Sequence, residues 1–102
     1  MHHIRFYDYV PDYLERRGAL RPAHLAHARP YLERGELVLA GAFAEPADGA
    51  ALVFRAEGAD VAEGFARADP YVTAGLVTGW RIRRWMTVLG RDAAHPVALA
   101  DD

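Results

Sequence analysis

The sequence predicts an α+β domain with the element order β-α-β-β-α-β. Two segments have apolar residues at helical spacing, and between them lie two short apolar runs separated by a turn. A strand precedes the first helix and another follows the second, so we expect a four-stranded antiparallel sheet with both helices on one face. A chain of 102 residues has room for one such domain and one modest core.

The first predicted element is a strand over residues 2–9, where aromatic and β-branched side chains alternate imperfectly with polar ones. Residues 10–20 contain a proline and a glycine, and we expect a connector there with room for one helical turn. The first helix should begin near Pro22, because proline is tolerated in a first turn, where its missing N–H is not needed. Gly35 should end this helix.

The first helix should bury one apolar stripe, made of Leu25, Ala28 and Leu32. Pro30 lies inside the same segment, where it removes one backbone hydrogen bond and presses on the preceding turn. We therefore expect a kink in this helix.

The middle of the chain predicts a hairpin and a second helix. Residues 37–43 form an apolar run suited to a buried strand, and residues 51–55 return as its partner after the turn at 45–49. The second helix should begin at Asp60, acting as the N-cap, and end at Asp69, because a residue before proline disfavours helical conformation. Its inward face would carry Val61, Phe65 and Ala68.

The final strand is expected over residues 76–85. One face would carry Leu76, Thr78, Trp80 and Ile82, and the other Val77, Gly79, Arg81, Arg83 and Trp85. The second face is too apolar to be left wholly in water, which predicts a homodimer in which two sheets pack face to face. Residues 90–102 are expected to be a loosely held tail after a domain of residues 1–89.

The composition excludes several function classes. The chain contains no cysteine, which excludes disulfides, thiolate metal sites and a cysteine nucleophile, and no lysine, which excludes Schiff-base chemistry. A formal net charge of -2 gives no general attraction to nucleic acid or to anionic membranes. No apolar run approaches the roughly 20 residues that span a bilayer, and a signal-peptide core is missing, so a cytoplasmic location is expected.

Two segments carry the candidate chemistry. Residues 21–25 place His24 on the first helix, and residues 68–76 place Asp69 at a helix end. Imidazole is the only side chain whose unperturbed pKa lies near neutrality, and a carboxylate beside it fixes its tautomer and raises its basicity. From spacing alone, a boundary histidine and a turn aspartate with purely structural roles remain open alternatives.

Several short motifs, taken in order, resemble the YCII-related (YciI-like) family. They are Ala23-His24-Leu25, Leu39-Ala40-Gly41, Asp48-Gly49, Ala68-Asp69-Pro70-Tyr71-Val72, Ala74-Gly75-Leu76 and Ile82-Arg83-Arg84-Trp85. The resemblance implies a ferredoxin-like fold that forms a dimeric α+β barrel, with an active site at His24 and Asp69. It also implies kinship with proteins that break down chlorinated aromatic compounds.

The chain departs from the family pattern at one place. Gly41 is followed by Ala42-Phe43, where many relatives have Gly-Pro and sometimes a nearby hydroxyl residue. The chain contains no serine at all, so a serine-based catalytic partner is not predicted.

Further residues are candidates for substrate binding, first among them Arg81, Arg83, Tyr71 and Phe43. Arg81 and Arg83 could meet an anionic substrate, although cross-strand or intersubunit pairing with acids is the alternative. An aromatic-binding cavity could be walled by Tyr7, Tyr9, Phe43, Tyr71 and Trp85, although aromatic residues of strands more often belong to the core.

No metal and no cofactor are predicted. His24 and His27, three residues apart, could both touch one metal ion, but no complete ligand set accompanies them.

The leading hypothesis is a small cofactor-independent enzyme that uses His24 and Asp69 for general acid–base chemistry. Isomerisation or elimination on a small organic molecule, with aromatic-derived compounds among the candidates, needs neither a cofactor nor a nucleophile. The alternative is a non-catalytic small-ligand-binding or accessory dimer, and haem binding is a third option. The expected partners are a second copy and a small molecule, with no nucleic acid and no membrane. A His24 that bonds to Asp69 and faces a pocket would favour chemistry.

Overall fold

A computed structural model describes residues 1–98 of the chain. The strands of this part are β1 (His2–Tyr9), β2 (Leu37–Ala42), β3 (Gly49–Arg55) and β4 (Val77–Trp85). The helices are α1 (Tyr13–Glu33), α2 (Asp60–Ala68) and the short α3 (Pro70–Thr73). The strands form one sheet in the order β2-β3-β1-β4, and every neighbouring pair is antiparallel. This is the ferredoxin-like arrangement, and it confirms the predicted element order.

The core lies between the sheet and the helices. Phe54 on β3 is fully buried and contacts two aromatic rings, Tyr31 of α1 at 6.4 Å and Phe65 of α2 at 5.2 Å between centroids. Because one strand residue touches both helices, α1 and α2 must lie on the same sheet face. Burying a side chain of this size contributes about 1.5–3 kcal/mol.

The sequence prediction for the start of α1 is wrong. The helix begins at Tyr13 rather than near Pro22, and it continues through both Pro22 and Pro30. Tyr13 is buried and stacks on Tyr9 of β1 at 3.8 Å, which anchors the first turn against the sheet. Tertiary packing and a run of good helix formers therefore outweigh the hydrogen bonds that the prolines remove. Gly35, with φ of 76°, follows the helix end as predicted.

The predicted buried stripe of α1 is also wrong in part. Ala28 is buried, but Leu25 and Leu32 are 52% and 54% exposed. The two leucines line an open cavity between α1 and the β2 side of the sheet instead of filling a closed core.

A β-bulge corrects the predicted faces of β4. Asp8 of β1 pairs with Gly79 of β4, but the next residue, Tyr9, pairs with Val77. Thr78 is therefore an extra residue of β4 without a partner position on β1. The extra residue, Thr78, donates its hydroxyl hydrogen bond to the Asp8 carbonyl at 3.2 Å. One inserted residue reverses the side-chain alternation, so Val77 turns toward the helices and is buried.

The sheet face turned away from the helices is called here the open face. Paired positions place the following residues on it: Ile4, Phe6, Leu39, Val53, Arg81, Arg83 and Trp85. Leu39 and Trp85 are the most exposed of its large apolar side chains, at 70% and 45%.

The second helix keeps its predicted bounds but not its predicted cap. Asp60 is the first helical residue and Ala59 occupies the cap position, where no side chain of the described residues caps the helix. The buried residues are Ala62, Phe65 and Ala66. Of the other two positions predicted to face inward, Val61 is half-buried and Ala68 is exposed. After Asp69, the short α3 begins at Pro70 and was not predicted.

The described part of the tail, residues 90–98, is bonded back to the domain. His95 donates its backbone N–H to the Thr87 carbonyl and Val97 to that of Val88, both at 3.0 Å. These bonds link residues 95 and 97 to residues 87 and 88, and residues 99–102 of the predicted tail lie outside the described residues. The division into a domain of residues 1–89 and a tail stays a prediction. Among the helices described, none has the length and apolar character needed to cross a membrane.

Two glycines provide a test of this packing. A Cβ at Gly49 would press on the backbone carbonyl oxygen of Tyr7, whereas a Cβ at Gly64, on α2, would meet nothing within 4 Å. We expect Gly49→Ala to lower the free energy of unfolding by about 1–3 kcal/mol. Gly64→Ala should raise it by up to about 1 kcal/mol, because alanine loses less backbone entropy in a helix. Urea denaturation measures both, and equal stability of the two variants would contradict the described approach of β1 and β3.

Candidate active site

His24 and Asp69 meet, although they lie 45 residues apart in sequence. The distance from His24 Nδ1 to Asp69 Oδ1 is 2.7 Å, within direct hydrogen-bond reach. The Asp69 side chain is fully buried and that of His24 is 16% exposed. The structure thus brings together the two residues on which the sequence hypothesis depended.

Asp69 accepts hydrogen bonds from three different elements. The Tyr7 hydroxyl of β1 donates to Oδ2 at 2.7 Å, and the Tyr71 amide, in the first turn of α3, donates to Oδ1 at 3.0 Å. The Tyr71 amide and His24 of α1 share Oδ1. A carboxylate that accepts from all of them is best served by a proton on His24 Nδ1. The second ring nitrogen, Nε2, then has no hydrogen-bond partner among residues 1–98.

Aromatic rings fix the plane of the His24 imidazole. The Tyr71 ring stacks on it at 3.8 Å with an interplanar angle of 1°, and Phe65 meets it edge-on at 6.4 Å. With Nδ1 held by Asp69 and one ring face covered by Tyr71, the imidazole has little rotational freedom. Such fixed placement is what a general base requires.

Tyr7 stays protonated at ordinary pH. Burial, followed by the nearby Asp69 carboxylate, raises the pKa of the Tyr7 hydroxyl far above its usual value. Burial also raises the pKa of Tyr9, with Tyr13 as the next cause. The Tyr7 hydroxyl is therefore a permanent hydrogen-bond donor to Asp69.

A positive charge is buried next to this arrangement. The Arg5 side chain is fully buried, and its guanidinium lies 4.3 Å from the Trp80 ring centre and 5.6 Å from that of Tyr7. One amino group bonds to the Ala62 carbonyl, while Nε and Nη1 have no hydrogen-bond partner among residues 1–98. Burial lowers the pKa of Arg5, and Tyr7 and Asp69 oppose that shift.

His24 lines a cavity of about 280 Å³ between α1 and the sheet. This volume is near the lower end for small-molecule sites, roughly 300–1,000 Å³. The residues that line it are Tyr7, Tyr9, Tyr13, Arg17, Arg21, His24, Leu25, Ala28, Leu32, Leu37, Ala40, Gly41, Ala42, Ala50, Leu52, Phe65 and Tyr71.

Of the four predicted substrate-binding residues, one lines this cavity and three lie elsewhere. Tyr71 lines the cavity and also stacks on His24. Phe43 is 45% exposed and lines a neighbouring groove instead. Arg81 and Arg83 lie on the open face, where the Arg81 guanidinium covers the Phe6 ring at 4.5 Å.

Sequence reasoning missed two residues of the site and one contact. Tyr7 is among the aromatic residues expected to wall a cavity, but nothing in the pattern pairs its hydroxyl with Asp69. Arg17 and Arg21 were missed because the helix was started at Pro22. A helix that begins at Tyr13 places both arginines on the His24 face.

Within residues 1–98, no group of three or more histidine, aspartate or glutamate side chains could hold a metal ion. His27 Nε2 lies 2.9 Å from the Phe65 carbonyl oxygen, a hydrogen bond that ties α1 to α2.

The fold is similar to those of two solved structures. One is 5-chloro-2-hydroxyhydroquinone dehydrochlorinase (TftG) from Burkholderia phenoliruptrix AC1100, in complex with 2,5-dihydroxybenzoquinone. Its TM-score is 0.72 at 24% identity, covering 85% of this chain and 95% of that one. Protein Atu4242 from Agrobacterium tumefaciens has a TM-score of 0.56 at 18% identity, covering 91% of this chain and 96% of that one. At these identities the likeness establishes the fold.

Sequence comparison establishes the family. Protein YciI of Escherichia coli O6:H1 (strain CFT073) is 35% identical over 74 residues, 64% of this chain and 76% of the relative. Protein YciI of Shigella flexneri matches with the same figures. The YCII-related domain matches residues 1–86, which include both His24 and Asp69. The resemblance seen in the sequence is confirmed: the chain belongs to the YCII-related family.

Proposed function

We propose that the chain is a small cofactor-independent enzyme that uses His24 and Asp69 for general acid–base chemistry on a small aromatic-derived molecule. The observation that carries this proposal is the 2.7 Å contact between His24 Nδ1 and Asp69 Oδ1 at the wall of a cavity. Asp69 is fully buried and held by two further donors, while His24 Nε2 is left without a partner among the described residues. One nitrogen is thus anchored and the other is available to a ligand.

The arrangement supports a simple proton-transfer mechanism. His24 Nε2 takes a proton from the substrate, and the electron pair left behind forms a new double bond. In an elimination the displaced pair leaves with the departing group, whereas in an isomerisation His24 returns the proton to a different atom. Asp69 stabilises the imidazolium formed in between, and general acid–base catalysis of this kind contributes about 10²–10⁴-fold.

The solved relative with the higher TM-score supports the choice of reaction class. It is a dehydrochlorinase, an enzyme that eliminates hydrogen chloride, and it was solved with a quinone. Loss of hydrogen chloride requires a base and a leaving group but no cofactor. A cavity of about 280 Å³ with tyrosine walls suits a single substituted ring.

A non-catalytic ligand-binding protein is the alternative. The orientation of His24 by Asp69 favours chemistry, because a purely binding pocket does not need a base with a fixed tautomer. Binding without turnover would favour the alternative.

A homodimer through the open face completes the proposal. Leu39 and Trp85 are 70% and 45% exposed there, and Arg81 and Arg83 rise from the same face. Packing two such faces together removes this apolar surface from water. The arginines then lie at the interface between subunits, where they can pair with acids of the other copy.

Removal of the base tests the catalytic assignment. His24→Ala should lower the rate of chloride release from 5-chloro-2-hydroxyhydroquinone by about 10²–10⁴-fold. Asp69→Asn should lower it less, because it disturbs the orientation of the base without deleting it. His95→Ala, which removes an exposed histidine of the tail, is the matched control and should be unchanged. Full activity in His24→Ala would refute the assignment, and binding by the wild-type protein without any turnover would favour the non-catalytic alternative.

Tyr7→Phe tests the support of Asp69. The variant leaves one buried carboxylate oxygen without its donor, and we expect a loss of about 1–3 kcal/mol in the free energy of unfolding. Tyr31→Phe is the control, because the Tyr31 hydroxyl has no hydrogen-bond partner among residues 1–98. Equal loss in both variants would contradict the role of Tyr7.

The same variant predicts a change in alkaline stability. The pKa of Tyr7 is raised in the folded protein, so above its ordinary value of 10.0 the unfolded chain loses the proton first. Stability is therefore fully present below about pH 10 and falls above it, by up to roughly 1.4 kcal/mol per pH unit for one such group. Tyr7→Phe should show a shallower decline than the wild type in urea titrations at pH 9–11. An unchanged slope would argue against a buried, protonated Tyr7.

The dimer can be tested by mass. Light scattering at micromolar concentration should give twice the chain mass of 11.3 kDa. Leu39→Asp combined with Trp85→Asp should shift the protein toward the monomer, because each places a charge on the face to be buried. Leu14→Asp changes a leucine of α1 that is 59% exposed and lies off the sheet, and it should leave the mass unchanged. A wild-type monomer would overturn this part of the proposal.

A further inference from the structure

Two arginine side chains share the cavity with His24. Arg17 and Arg21 both line it, seven and three residues before His24 on α1. Residues at these spacings lie on one face of a helix. Arg17 is half-buried, so its alkyl chain lies along the cavity wall. Arg21 is exposed, so its side chain lies at the opening.

Neither arginine is paired with an acid in the described part of the chain. The ion pairs found within residues 1–98 include Arg16 with Asp12 on the same helix, but none involves Arg17 or Arg21. Among the described residues, no aspartate or glutamate lines the cavity. Asp69 lies behind His24, fully buried and occupied by its own donors. The cavity therefore presents two positive charges without a matching negative one.

Both arginines line the same cavity as Tyr71, the residue whose ring stacks on His24. Burial raises the pKa of the Tyr71 hydroxyl, and the positive charges of Arg21 and Arg17 oppose that rise. The Arg17 guanidinium also lies 5.6 Å from the Tyr13 ring centre. The two arginines and His24 thus line the same cavity.

The remaining walls are flat and aromatic. Tyr9 and Tyr13 are stacked at 3.8 Å with an angle of 4°, and both meet Tyr71 edge-on at 6.3 and 6.2 Å. Flat aromatic walls select planar ligands, and guanidinium groups select carboxylates and other oxygen anions. A planar ring that carries an anionic oxygen group satisfies both the aromatic walls and the guanidinium groups.

We propose that Arg17 and Arg21 form an anion-binding subsite, and that the ligand of this cavity is an aromatic or quinoid acid with its anionic oxygens held by these guanidiniums. The inference deepens the proposed function by naming the substrate class, and it rests on that function only for the turnover of the ligand. Charge recognition itself does not require His24 to be a base. In a proton abstraction, the same guanidiniums would stabilise negative charge that develops on the ring oxygens.

A pair of matched probes tests the subsite. Isothermal titration is performed with 2,5-dihydroxybenzoate and with 2,5-dihydroxybenzamide, which have the same ring and similar size but differ in charge. The wild-type protein should bind the acid roughly 10- to 100-fold more tightly than the amide, the range expected for charged hydrogen bonds. The preference should shrink as salt is raised, since the subsite is open to water.

Arginine variants then locate the charge. Arg17→Gln combined with Arg21→Gln should abolish the preference for the acid and leave binding of the amide nearly unchanged. Arg29→Gln, which removes an exposed arginine of the same helix that does not line the cavity, should keep the preference. Circular dichroism confirms that each variant is folded. Absence of saturable binding of the acid, equal binding of both probes by the wild type, or a preference that survives the double substitution would overturn the subsite.

His24→Ala separates this inference from the proposed function. The variant should keep the preference for the acid while it loses turnover. If it keeps turnover, the catalytic assignment fails and the subsite stands. If the double arginine variant keeps the acid preference while His24→Ala loses turnover, the subsite fails and the assignment stands.

Discussion

The buried Asp69 carboxylate is the interaction on which the rest of the structure depends. It is fully buried at the junction of α2 and α3 and accepts hydrogen bonds from Tyr7 of β1, His24 of α1 and the Tyr71 amide of α3. A buried charge without such partners costs several kcal/mol, so the native fold requires all three elements in place. Pro70 contributes locally, because the residue before a proline favours an extended backbone, and Asp69 has φ of -67° and ψ of 123°. That conformation ends α2 and lets the same carboxylate cap α3.

The carboxylate links stability with chemistry. Tyr71 supplies an amide to Asp69 and a ring to His24, so one residue fixes both members of the pair. Tyr7 holds the second oxygen and cannot ionise at ordinary pH, because burial raises the pKa of its hydroxyl. Arg5 adds a buried positive charge 5.6 Å from the centre of the Tyr7 ring. Burial lowers the pKa of Arg5, and Tyr7 and Asp69 oppose that shift. The candidate base is therefore held by the core of the domain and not by a mobile loop.

Local patterns in the sequence were sufficient for much of this arrangement. The hairpin, the end of α2 at Asp69-Pro70 and the order of the strands follow from periodicity and turn chemistry, which act over a few residues. Two errors have a common origin in tertiary packing. Pro22 is a typical start signal, but the stacking of Tyr13 on Tyr9 supports a helix that starts nine positions earlier. The bulge at Thr78 reverses the faces of β4 through one inserted residue, which no count of alternating side chains reveals.

The position at which α1 begins also determines the charge of the cavity. Because α1 begins at Tyr13, one of its faces carries Arg17, Arg21 and His24, and all three line the cavity. Among residues 1–98 neither arginine forms an ion pair. A guanidinium without an acidic partner in the protein is available to bind the anionic oxygens of a ligand. The face of α1 that would select an anionic ligand thus also carries the imidazole that we propose as the base.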